Sequence, residues 1–215
     1  MFGRRIVGKN TFRALKGEGG TSHGFYNSGG RYYSRDTLGN KTKEYQLWEN
    51  MKIRCTYMHK IDPSKYAKYA DVDVCAEWKY FQVFAEWFFQ CSNYREGWQL
   101  DKDILGNGKL YSPETCTFVP EEMNKSLTSK KACRGKYPRG VNKPTAKVKL
   151  TATFDCKHPE FSVRAYYKLE DVESAFGFVK EAKERYFKFL ACKYKGEVDS
   201  RVTDFFNCYE VKIDD

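Results

Sequence analysis

Residues 129–144, SKKACRGKYPRGVNKP, are dense in Lys, Arg, Gly and Pro, and this segment constrains the fold more than any other. A run of that composition supplies little to a core and reads as a linker. Apolar patterning therefore falls into two blocks, and a chain of 215 residues divides into two small modules. The boundary is placed at 130/131, giving modules over 45–130 and 131–215. Ahead of them, residues 1–44 are rich in Gly and polar groups, with turn signals at Gly19-Gly20, Gly29-Gly30 and Gly39-Asn40. They predict a loop-rich arm with one hairpin.

Within the first block Leu47, Trp48, Met51 and Cys55 recur at helical spacing, predicting an amphipathic helix that closes before Asp62-Pro63. A second helix is expected over Ala76 to Gln90, with Trp78, Phe81, Phe84, Ala85 and Phe88 as a core stripe. Gly97 to Leu127 reads as strand, loop and then a helix from Pro120 or Glu121. In the second block Lys147 to Phe154 and Phe161 to Tyr167 alternate at period two, with Asp155 to Glu160 as the loop between them. A third strand is expected around Arg139 to Asn142. Leu169 to Lys195 predicts one long helix, with Ala175, Val179, Ala182, Tyr186 and Leu190 inward and Lys180, Lys183 and Lys188 outward. The class expected is α+β.

Lys and Arg number 38 against 28 Asp and Glu, and the net charge of +10 points to a polyanionic partner. A basic surface that only keeps the protein soluble is the bland alternative. No stretch approaches the roughly 18 apolar residues of a membrane span, since even Phe81 to Cys91 is broken by Gln82 and Glu86. The start, MFGRRIVGKN, lacks the apolar core of a secretory signal. No membrane partner is expected, and the cytoplasm is the expected location. The eight cysteines form no C-x-x-C pair and read as reduced, mostly buried thiols.

A one-metal nuclease built on strand, loop and helix needs a strand carboxylate and a helix amide or imidazole to hold a divalent ion against phosphate. Asp101 and Asn124 stand at those places. Taken alone, they also suit a solvated strand end and a helix-surface amide. LDKDI at 100–104, YSPETC at 111–116 and EEMN at 121–124 resemble the LDRID, YSPENC and EQxN pattern of phage and intron-type HNH endonucleases. LWENMKIRC at 47–55, VCAEW at 74–78 and FAEW at 84–87 resemble the segment before that motif, so the likeness spans about 45–127.

The resemblance implies a ββα-metal (HNH) module with Asp101 and Asn124 as ligands of a divalent ion, Mg²⁺ or Mn²⁺. Two positions depart from the pattern. Lys102 stands where the general-base histidine is usual, and Thr115 replaces the Asn that braces the loop. A lysine is a cation at neutral pH unless its surroundings depress it strongly, so Lys102 is expected on the scissile phosphate or its developing charge. The proton then falls to Asp103 or to a distant histidine, for which His59 is better placed than His23 or His158.

KYPRGV at 136–141, the basic strand pair and the long helix resemble the AP2-type DNA-binding domains fused to such nucleases. That likeness implies a three-stranded sheet facing DNA and backed by one helix, with Arg134, Lys136, Arg139, Lys147, Lys149 and Arg164 as DNA contacts. The aromatic residue expected after RGV is absent from VNKPTAK. If Val148, Leu150 and Ala152 pack on the helix, Lys147, Lys149 and Thr151 point away from it. The function expected is a site-selective, metal-dependent endonuclease of homing type, hydrolysing phosphodiester bonds in duplex DNA. The alternative is a catalytically inactive HNH-fold phage protein that binds DNA or interferes with a host factor.

Overall fold

The structure is a computed structural model that describes residues 20–21, 24–25, 30–66, 69–127, 137–143 and 149–213. Helices and short sheets mix along the chain, as an α+β class requires. Contacts divide it into two compact units, Met1–Val119 and Pro120–Asp215. The division precedes the helix that carries Asn124, whereas the sequence reading places it after residue 130.

The first unit begins with a two-residue antiparallel pair, β1 (Gly20–Thr21) and β2 (Gly24–Phe25). Helix α1 (Lys43–Ile53) buries Trp48 and Met51 against α4 (Phe81–Gln90), which presents Phe81, Phe84, Ala85 and Phe88. The Trp48 indole N–H donates to the Trp78 carbonyl at 2.8 Å, which ties the two segments together. The helix predicted to close before Asp62 runs without a gap from Lys43 to Ile61, with a change of winding inside it. After Ile53 the turn widens into a π-helix over Arg54–Met58, followed by α2 (His59–Ile61) and, beyond Asp62, α3 (Pro63–Tyr66).

The helix expected from Ala76 is interrupted. A 3₁₀ turn at Glu77–Lys79 leads to Tyr80 in extended conformation, whose carbonyl accepts the Phe84 N–H. This break seats the Trp78 ring 5.0 Å from Phe84 and 4.6 Å from Trp87, with no exposure to solvent. Two small sheets complete the unit. β3 (Asp73–Val74) runs parallel to β5 (Leu110–Tyr111), and β4 (Gln99–Asp101) is antiparallel to β6 (Thr117–Val119).

The second unit opens with α5 (Glu121–Leu127), where Lys193 reaches the Glu122 carboxylate at 2.8 Å. Its sheet has the order β7 (Val141–Asn142), β8 (Leu150–Phe154) and β9 (Val163–Tyr167), all antiparallel. Helix α6 (Val172–Lys193) covers one face, where Val141, Leu150, Ala152, Ala175 and Val179 form the core. A second helix, α7 (Ser200–Cys208), packs Phe206 on Phe187 at 4.9 Å and buries a further side of α6. Lys183, expected outward, is therefore buried, with its ammonium 5.3 Å from the rings of Phe187 and Tyr209.

Gly140 explains why the RGV turn tolerates no side chain. Its φ is +81°, and a Cβ there would lie 2.6 Å from Val179 Cγ1 and 2.9 Å from the Thr153 carbonyl. Gly140→Ala is expected to cost about 2–4 kcal/mol, from the left-handed backbone and the overpacked contact together. A denaturation midpoint equal to that of the parent chain would contradict this.

Among the described residues no helix is long and apolar enough to cross a membrane. The described cysteines are free thiols, but only Cys55 and Cys116 are buried, so the expectation of mostly buried thiols does not hold. Burial pushes Cys55 up to about 11 and Cys116 up to about 12. Cys91, Cys192 and Cys208 instead face solvent on helices or their ends.

Candidate functional site

The end of β4 and the loop to β5 hold the residues that resemblance singles out. Asp101 pairs with Thr117 across β4 and β6, and its neighbour on the ladder, Phe118, is fully buried. Asn93 secures β6 from outside the sheet, accepting the Phe118 N–H at 2.9 Å and donating to the Phe118 carbonyl at 2.9 Å. Beyond Asp101 the chain turns sharply. One carboxylate oxygen, Oδ1, accepts the N–H of Asp103 at 2.8 Å and of Ile104 at 2.9 Å, which is how an Asp stabilises such a turn.

Asp101 is only 5% exposed. Burial raises its carboxyl above the ordinary range and Asp103 adds to this, while the two backbone N–H groups and Lys102 pull it back. Among the described residues no donor engages Oδ2, so the carboxylate keeps one oxygen for a ligand.

Lys102 is buried, at 7% exposure, although it lies on a loop. Its ammonium donates to Asp103 Oδ1 at 2.6 Å and sits 5.6 Å from the Tyr111 ring and 5.8 Å from the Tyr69 ring. Gly108, at φ +75°, allows the loop to close over this pair, since a Cβ there would lie 2.5 Å from Asp103 Oδ1. Asp103 itself remains largely exposed. In this contact the ammonium is the donor and the Asp103 carboxylate the acceptor.

Thr115 braces the loop between β5 and β6. Its hydroxyl donates to the Leu110 carbonyl at 2.8 Å and accepts the Ser112 N–H at 3.1 Å. A hydrogen bond from Ser112 holds the Glu114 carboxyl below its usual range.

The structure thus brings Asp101, Lys102 and Asp103 together in the first unit, while Asn124, on α5, belongs to the second. His59 opens α2, and its side chain lies outside the described residues, as do His23, Arg134, Lys136 and Lys147. His158 sits in the β8–β9 loop among Phe161 and Phe189, with Nδ1 buried and unpartnered. Among the described residues no group of three or more His, Cys, Asp or Glu is placed to hold a metal. A metal at the Asp101 loop would draw on the free carboxylate oxygen of Asp101, a hard donor that suits an oxygen-seeking ion such as Mg²⁺.

The second unit offers a different surface. The register sets Asn142, Thr151 and Tyr166 in one row and Thr153 with Arg164 in the next, all on the side opposite Leu150 and Ala152. Alternation adds Lys149 and Lys168, both exposed. Tyr166 is 56% exposed and shows its ring to solvent amid these cations. Arg139 is half-buried in the turn before β7. The sequence reading names Lys149 and Arg164 but not Asn142, Tyr166 or Lys168; alternation along β9 puts Tyr166 and Lys168 beside Arg164, and the pairing register brings Asn142 to the same face. The chain matches no protein-family model, no curated protein and no solved structure.

Proposed function

We propose that the protein is a metal-dependent endonuclease that hydrolyses phosphodiester bonds in duplex DNA. The observation that carries this reading is the sequence of elements β4, β6 and α5 with a buried carboxylate, Asp101, ending the first strand and an amide, Asn124, on the helix. In this reading Asp101 is a ligand of the ion, Mg²⁺ or Mn²⁺. A divalent ion bound there supplies positive charge for the phosphoryl oxygens and an acidified water. Asp103, the exposed carboxylate of the loop, takes the proton of the attacking water. Lys102 keeps Asp103 in place and adds positive charge beside the phosphate. The open face of the β7–β9 sheet, with Lys149, Arg164 and Lys168, holds the duplex and selects the site.

A second reading is favoured by one observation, the commitment of Lys102 to Asp103 where the family places a base. It makes the chain a DNA-binding phage protein, or one that interferes with a host factor, without cleavage. Incubating the purified protein with phage and plasmid duplexes, with Mg²⁺ or with EDTA, separates the two. Nicks or breaks that require Mg²⁺ are expected, and intact DNA under conditions where the protein is bound to it would select the second reading.

A further inference from the structure

Arg54 lies 48 positions before Lys102 in sequence, yet both cations face the ring of Tyr69. The Arg54 guanidinium carbon is 6.0 Å from the ring centroid and the Lys102 ammonium is 5.8 Å from it. Tyr69, Tyr111 and Tyr66 lie within electrostatic reach of the guanidinium, and it also hydrogen-bonds the Tyr111 side chain. Lys52, buried on the preceding turn, is nearby: Cys55 lies within electrostatic reach of Asp73 and of Lys102, Lys52 and Arg54, and Asp73 also acts on Lys52. Asp103 answers Lys102, but among the described residues neither Lys52 nor Arg54 makes an ion pair with a carboxylate. Arg54 is exposed, and it opens the π-helical turn, a distortion that α-helices often carry at functional sites.

Gathering two cations on one aromatic ring costs Coulomb repulsion that an incoming anion relieves. A planar guanidinium lying over a tyrosine keeps its edge N–H groups available for phosphate oxygens. We propose that Arg54, backed by Lys52 and Lys102, is a binding site for a backbone phosphate of DNA on the first unit, beside the Asp101 loop. This rests on the nuclease reading of that loop for its ligand, a phosphodiester, and it assigns the first unit its own grip on the strand. Arg54 is in this sense a positioning residue.

The test is the salt dependence of duplex binding by the full chain, measured by fluorescence anisotropy in EDTA so that no cleavage intervenes. Each neutralised phosphate contributes about 0.9 to the slope of log affinity against log salt. Arg54→Gln is expected to lower that slope by about 0.9 and affinity several-fold, while Arg54→Lys keeps the slope. Arg185→Gln, an exposed cation on α6, should leave it unchanged. An unchanged slope in Arg54→Gln overturns the site. So does an equal loss in Arg54→Lys, which would point to damage other than loss of charge, or an equal loss in Arg185→Gln. A chain that never cuts but loses slope with Arg54→Gln refutes the nuclease reading and keeps this one. A chain that cuts with Mg²⁺ and shows no Arg54 dependence does the reverse.

Discussion

Asp101→Asn is expected to remove Mg²⁺-dependent cleavage by at least about 100-fold, since even groups outside the first ligand shell typically cost 10–100-fold when lost. The same variant should melt at the parent temperature or above it. An amide oxygen can still accept the N–H groups of Asp103 and Ile104, so the turn after β4 survives. What disappears is a buried negative charge. Because burial raises the Asp101 carboxyl in the folded chain, its ionised form is disfavoured by folding. For such a group the penalty is fully present above the raised folded value and fades as pH falls from there to the unfolded value. At neutral pH the penalty is in force, and Asn escapes it. Asp101→Ala loses the acceptor as well, and two buried N–H groups without partners should lower the midpoint relative to Asp101→Asn. Cleavage assays and thermal melts at pH 7 read both effects. Full cleavage by Asp101→Asn would dismiss Asp101 as a ligand, and a midpoint as low as that of Asp101→Ala would dismiss the electrostatic account of its burial.

Replacing Lys149, Arg164 and Lys168 together by Ala should lower the salt slope of duplex binding by about 2.7, at about 0.9 for each phosphate contact. All three are exposed, and the register and alternation place them on the face opposite Leu150 and Ala152, so the core against α6 should be undisturbed. Circular dichroism of the triple variant should match the parent. Between the charged residues, Asn142 and Tyr166 present groups that can meet base edges. Loss confined to a preferred sequence after Arg164→Ala would mark a base reader, whereas equal loss on all duplexes marks a phosphate contact. A triple variant with the parent slope would leave this sheet face without a role in binding DNA.

Much of the architecture is legible from spacing alone. Trp48 and Met51 of α1, Phe81, Phe84 and Phe88 of α4, and the alternation of β8 each describe an element facing a single core, and a single core imprints one period on the sequence. The same holds for the exposed row that contains Lys149. The carboxylate at residue 101 is likewise visible, because a strand that ends in Asp before a turn needs only local hydrogen bonds.

Other features depend on partners far away in sequence. β3 and β5 are two residues long, too short to carry a period, and they exist because Val74 and Tyr111 share a core. The wide turn at Arg54, the break at Tyr80 and the cover that α7 lays over Lys183 follow from neighbours that no spacing announces. Lys102 is the clearest case. On sequence it is a cation expected to meet the scissile phosphate. In the fold Tyr69, Tyr111 and Asp103 draw its ammonium inward, and Arg54 meets the same Tyr69 ring. Sequence by itself determined which residues could carry charge and where the carboxylate stands. Only tertiary structure decided which charges meet, because burial and the electrostatics it amplifies depend on surfaces supplied by remote segments.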